Sequence, residues 1–145
     1  PPRMSSPCKN QRTKQKIENL KRKIENRCFM SNIIETKSFD FAVRIVKLYK
    51  LLCEQRKEYI LSKQLIRSAT SIGANISEAL QAQSKADFIS KLSISLKETS
   101  ETKYWIKLLL ATDYLSTKEA DSLLNDCTEI EKLLVAILKT SKSNS

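Results

Sequence analysis

Residues 65–79 read LIRSATSIGANISEA. Leu65, Ala69, Ile72, Ile76 and Ala79 step by four, three, four and three, the spacing that lines one face of an α-helix. Outward from this stretch the punctuation of other folds is missing. Between Ser38 and Thr140, Gly73 is the single glycine and there is no proline; all three prolines fall in the first seven residues. Strand-and-turn proteins reverse direction on Gly, Pro and Asn-Gly pairs. A chain this poor in them is predicted to be all-α, with long helices joined by short turns.

Four helices follow from the periodicity. The first runs from about Ser38 to Lys57, with Ser38 as N-cap and Asp40 in the first turn. Phe41, Ile45, Leu48 and Leu52 form its stripe, widened by Ala42, Val46 and Tyr49. The second runs from about Ser62 to Gln83. The third runs from Ser84 or Lys85 to Asp113; SKAD at 84–87 resembles a capping box. So little turn signal separates these two that a single kinked helix is the alternative. Ile89, Leu92, Leu96, Thr99, Ile106 and Leu110 carry one face of the third helix, extended by Phe88, Trp105 and Leu109. Its many hydroxyls (Ser93, Ser95, Thr99, Ser100, Thr102) suit either tight packing against another chain or plain exposure. The fourth starts at Ser116, with Glu119 three residues on. It runs to about Thr140 through Ala120, Leu123, Cys127, Ile130, Leu134 and Ile137. Four such helices make an antiparallel four-helix bundle, and 145 residues make one domain.

Gly73 stands inside the second helix, where glycine costs about 1 kcal/mol against alanine. Close approach of a neighbouring helix is the simplest reason for it, and a kink is the second. On this reading Gly73→Leu overpacks, and a gain in stability on Gly73→Ala marks an exposed position.

The formal net charge is +10, unevenly spread. Residues 1–29 hold nine Lys and Arg against two Glu, a balance of +7; residues 30–145 hold seventeen against fourteen acids, a balance of +3. Most of the basicity therefore belongs to the leader, and total charge by itself does not argue for a polyanion partner. Residues 1–15 are polar and aperiodic and are expected to be disordered. KIEN at 16–19 recurs at 23–26, placing Ile17, Leu20 and Ile24 at heptad spacing. That echo is either a helical arm that docks on a partner or a frayed basic tail. Met30 offers a fresh start at MSNIIETKSFDF. Residues 1–29 thus read as a basic N-terminal extension, mostly disordered or short-helical, upstream of a 30–145 bundle domain.

Chemistry is sparse. The chain has no histidine, so the usual base of a serine nucleophile is missing, and Ser-Lys chemistry would need a strained nucleophile turn that is not visible. Cys8, Cys28, Cys53 and Cys127 form no CxxC, and a zinc site would need all four thiolates; Cys53 and Cys127 read as small core residues. Glu98 and Glu101 lie three apart on one helix, but helical Glu pairs that bind iron work with histidine. Lys97, Lys103 and Lys107 are the expected ion-pair partners. No catalytic residue, metal ligand or cofactor is expected. No apolar run is long enough to span a membrane, and no signal-peptide core is visible, so a cytoplasmic location is expected. Arg44, Lys47 and Lys50 make a basic ridge on the first helix, either a solvated face or a nucleic-acid contact.

RSATSIGANISEA at 67–79, AQSKADFISKLSISLKE at 82–98 and SETKYWIKLLL at 100–110 resemble the bacterial four helix bundle protein family, encoded by intervening sequences of 23S rRNA genes. SFDFAVRIVKLYK at 38–50 fits that family's first helix, so the resemblance covers about residues 36–140. Many members carry Pro where Gly73 stands and Gly where Ala79 stands; this chain resembles a variant without those breaks. The resemblance implies a ring-like homopentamer with no enzymatic activity. It also implies kinship with the accessory protein of diversity-generating retroelements, a basic pentamer that binds nucleic acid and a reverse transcriptase. By motif position Arg67, Ser71, Asn75, Glu78 and Glu101 are the family-type polar residues, implied to pack and hydrogen-bond between helices. The expected function is a non-enzymatic oligomer that engages RNA or DNA; a protein-binding adaptor or scaffold is the alternative.

Overall fold

The computed structural model describes residues 7–143. Four helices follow one another: α1 (Pro7–Glu54), α2 (Leu61–Leu80), α3 (Lys85–Ala111) and α4 (Thr117–Ser143). Each packs on its neighbours in sequence, and α4 closes on α1. The connections are short, so successive helices run antiparallel, as in an up-down-up-down bundle.

The seams of the four helices meet in one core. Ile34, Phe41, Ile45 and Leu52 come from α1, Leu65, Ile72 and Ile76 from α2, Leu92, Ile106 and Leu109 from α3, and Leu123, Ile130 and Leu134 from α4; all are buried. Burying one such side chain stabilises by about 1.5–3 kcal/mol relative to exposure. Cys127 is also buried, which pushes its thiol up to about 12. Cys53 is half-buried, with its sulfur 3.8 Å from Ser62 Oγ.

The turns show why the helices stop where they do. α2 and α3 are separate helices, divided at residues 81–84. Ser84 Oγ accepts from the Asp87 N–H at 3.1 Å, satisfying one of the donors a helix start leaves free. At the next turn Asp113 adopts φ 66, a left-handed conformation that Asp tolerates better than most residues. The capping box at α4 closes both ways: Ser116 N–H donates to Glu119 Oε2 at 2.8 Å, and Glu119 N–H to Ser116 Oγ at 3.2 Å.

The N-terminal expectation needs correction. α1 starts at Pro7 rather than Ser38 and is 48 residues long, about 72 Å at 1.5 Å per residue. Residues 7–15, read as disordered, are helical; residues 1–6, part of the same stretch, lie outside the described residues. Two causes operate. No proline or glycine interrupts residues 8–54, and the folded part of α1 supplies a formed turn, so the arm need not nucleate itself. Ser38 is therefore mid-helix and buried, its hydroxyl donating to Glu35 O at 3.0 Å. The arm leaves Ile17, Leu20 and Ile24 exposed. Leu20, Ile24 and Met30 line one side of a cleft of roughly 740 Å³ against Ile137, Thr140 and Ser141 of α4.

Ser38 also explains Gly73. A Cβ added at Gly73 would lie 3.5 Å from Ser38 O, so α1 and α2 do approach closely there. The distance is an ordinary van der Waals contact, and α2 carries no kink-forming proline.

Candidate nucleic-acid interface

The basic ridge of α1 divides. Arg44 reaches across to α4, donating to Asp126 Oδ2 and Ser122 Oγ, both at 2.8 Å. Its guanidinium is thereby committed to holding two helices together. Lys47 and Lys50 are exposed and have no ion-pair partner among the described residues.

The same division runs through the whole bundle. Half of the bundle's carboxylates are engaged between helices: Lys37 pairs with Glu129 at 2.6 Å, Arg56 with Glu119 at 2.7 Å and Lys91 with Glu78 at 2.8 Å, and Lys103 pairs with Glu131. The Arg56 hydrogen bond, together with the N–H of Ser116, draws the Glu119 carboxyl down to about 2. What remains at the surface without an ion pair among the described residues includes Lys47, Lys50, Lys57 and Lys63.

These four lysines bracket the turn from α1 to α2. Lys57 adopts φ 53. Glu58 is buried, and its carboxylate accepts from the N–H groups of Ile60, Leu61 and Ser62 at 3.0, 2.8 and 2.6 Å. Burial alone would push that carboxyl up; the N–H donors outweigh it and hold it below its ordinary value. Ser62 Oγ returns a bond to Glu58 O at 3.0 Å. The turn is pinned from inside while Tyr59 and Ile60 point outward, 54% and 76% exposed. Sequence reading missed this arrangement, because Glu58 sits three residues before Leu61, the first helical N–H it serves, and fits no capping box. The available signal was Tyr59 itself, an aromatic between lysines.

The family-type residues lie along α2 and α3. Arg67 holds Glu101 and, more loosely at 3.7 Å, Glu98, while Trp105 Nε1 donates to Glu101 Oε1 at 3.2 Å. Arg67, rather than Lys97, Lys103 or Lys107, is thus the partner of the glutamate pair. Glu98 Oε2 is buried without a hydrogen bond; burial, then the neighbouring Glu101, pushes its carboxyl up. Glu78 joins α2 to α3 through Lys91. Asn75 acts within α2, its Nδ2 donating to Ser71 O at 2.8 Å and Ser71 Oγ at 3.0 Å. Two hydroxyls of α3 bond across to α2: Ser95 Oγ donates to Ile72 O at 2.8 Å, and Thr102 Oγ1 to Ser68 Oγ at 3.0 Å; Ser93 and Thr99 donate to carbonyls of α3 itself, and Ser100 is exposed. Ser95, Thr99 and Thr102 are fully buried, so they pack neither against another chain nor into solvent.

Fold and surface define a class: an all-α bundle with charge-paired seams and a set of exposed lysines, Lys47, Lys50, Lys57 and Lys63, without an ion pair among the described residues. Within that class, the family described as 23S rRNA-intervening sequence protein matches residues 30–136, and the chain belongs to it. The match begins where the arm of α1 joins the bundle. Among solved structures, the chain is similar to a protein of unknown function from the S23 ribosomal protein family of Bacteroides thetaiotaomicron. The two share 56% identity at a TM-score of 0.75, over 76% of this chain and 98% of the other. No curated protein matches.

Proposed function

We propose that this chain is a non-enzymatic, self-assembling bundle, a homopentamer in the cytoplasm, that associates with RNA or DNA through lysines of its folded part. The observation that carries the reading is the unequal use of charge. Seven of the fourteen acids of residues 30–145 are spent on ion pairs between helices, while Lys47, Lys50, Lys57 and Lys63 stay exposed and unpaired among the described residues. The family's link to an intervening sequence of ribosomal RNA supports the choice of ligand.

Assembly matters because one bundle is only mildly basic. Residues 30–145 carry +3, and five copies in a ring would carry about +15, enough to hold a phosphate backbone by summed weak contacts. Phe39, Val43, Ile94, Tyr104 and Val135 are exposed on the bundle and supply apolar area for contacts between copies. Arg44 belongs to the scaffold in this reading, and Lys47 and Lys50 to the ligand.

The test is a binding assay at low ionic strength with structured RNA and duplex DNA. Lys47→Glu with Lys50→Glu should abolish most binding by residues 30–145 while the circular dichroism spectrum stays unchanged. Equal binding by the reversed variant would overturn the reading in favour of a protein-binding adaptor.

A further inference from the structure

From the α1–α2 turn we infer a platform for single-stranded nucleic acid, with Tyr59 stacking on an unpaired base and Lys57 and Lys63 holding the phosphates beside it. The inference rests on the nucleic-acid reading above and narrows it to one site and one kind of strand.

Three observations converge. First, the exposure of Tyr59 and Ile60 is not that of a slack loop. The Glu58 carboxylate is buried and accepts three backbone N–H groups, and the Glu58 N–H donates to Leu52 O at 3.0 Å. The turn is therefore tied to both helices it joins, and its two large apolar side chains are fixed outside. Second, Glu58 already accepts from the N–H groups of Ile60, Leu61 and Ser62 at the α2 start, so phosphate binding there falls chiefly to side chains. Third, those side chains are in place. Lys57 and Lys63 flank Tyr59 in sequence, Lys50 lies four residues before the end of α1, and all three are exposed and free of ion pairs among the described residues. Glu54 is the nearest exposed carboxylate in sequence, so the cations outnumber it. An aromatic face beside a track of lysines is the recurring arrangement for single strands, because every base has a π-face and every nucleotide a phosphate. A duplex keeps its bases stacked internally and offers Tyr59 no face.

The probe is a single-stranded RNA of mixed sequence carrying one 2-aminopurine, assayed beside its perfect duplex with the full chain. The single strand should bind more tightly, with its 2-aminopurine fluorescence quenched on binding. Tyr59→Ala should weaken single-strand binding roughly 5- to 150-fold, the range for loss of one stacked base, and abolish the quench. Tyr59→Phe should retain both, and duplex binding should change in neither variant. Tyr59 is outside the core, and a circular dichroism melt verifies the fold of each variant. If Tyr59→Ala weakens strand and duplex equally, or neither, the inference is overturned while the nucleic-acid reading stands; the second outcome hands the Tyr59–Ile60 pair to a protein contact. If the unaltered chain binds neither nucleic acid at low salt, the broader reading falls and takes the inference with it.

Discussion

Gly73 shows how a single position is decided by its neighbour. An added methyl would meet Ser38 O at 3.5 Å, a distance it can occupy. Alanine should therefore gain up to about 1 kcal/mol from helix propensity, and that gain no longer marks an exposed site. Leucine would run into the α1 backbone at a cost of about 1–3 kcal/mol. Urea melts of both variants check the pair; a loss of stability in Gly73→Ala would mean that the helices sit closer than described. Glu119 makes a second prediction. Its carboxyl is drawn to about 2 by Arg56 and the Ser116 N–H, below the ordinary value of 4.5. In that window the unfolded chain binds the proton and the folded chain does not, so the contribution is present above about pH 4.5 and is lost as pH falls towards 2. Glu119 is partly exposed, so water screens the effect. Glu119→Gln should flatten the acid limb of stability against pH between these values, and an unchanged limb would contradict the assignment.

At the scale of helices, much was legible from spacing alone. α2, α3 and α4 start within a residue or two of where Leu65–Ala79, SKAD and the Ser116–Glu119 box place them, because period and capping are local signals. The first helix reads short in the sequence because Ser38 and Asp40 look like a helix start. Nothing local says that Ser38 is instead a small residue in a seam, chosen to let α2 approach; that is a fact of tertiary packing. The hydroxyls of α3 were equally opaque, since Ser and Thr look alike in solvent and in a tight interface. Their placement makes the α2–α3 contact the least tolerant of bulk. Ser95→Leu should cost about 1–3 kcal/mol or more by overpacking, whereas the same change at exposed Ser100 should stay within about 0.5 kcal/mol. Thermal melts of the two variants compare them directly. The arm of α1 is a separable element. Its first fully buried large side chain is Ile34, so a chain starting at Met30 should melt at nearly the same temperature while losing helical ellipticity. A collapse of cooperativity would show that residues 7–29 brace the bundle.

For the whole molecule, the sequence located the basic ridge but not its allegiance. Lys47 and Lys50 differ from Arg44 only in where α4 runs, and no spacing within α1 reveals Asp126 across the seam. The same holds for the apolar Trp105 and Leu124, which no spacing assigns to the core or to a contact between copies; both are half-buried against their own core. On the helix faces of the bundle the large apolar residues left outside are Phe39, Val43, Ile94, Tyr104 and Val135, with Tyr59 and Ile60 exposed at the α1–α2 turn. The proposed pentamer should give a light-scattering mass about five times the 16.6 kDa of one chain, a ring closed by heterologous interfaces; a monomer at micromolar concentration would remove the assembly. The central claim, that the folded bundle rather than the basic leader engages nucleic acid, is tested most directly by salt titration of RNA binding to residues 30–145. The account predicts measurable binding at low ionic strength, with log affinity falling linearly as log salt rises. Absence of salt-dependent binding even at the lowest ionic strength, with binding recovered only when residues 1–29 are restored, would contradict it.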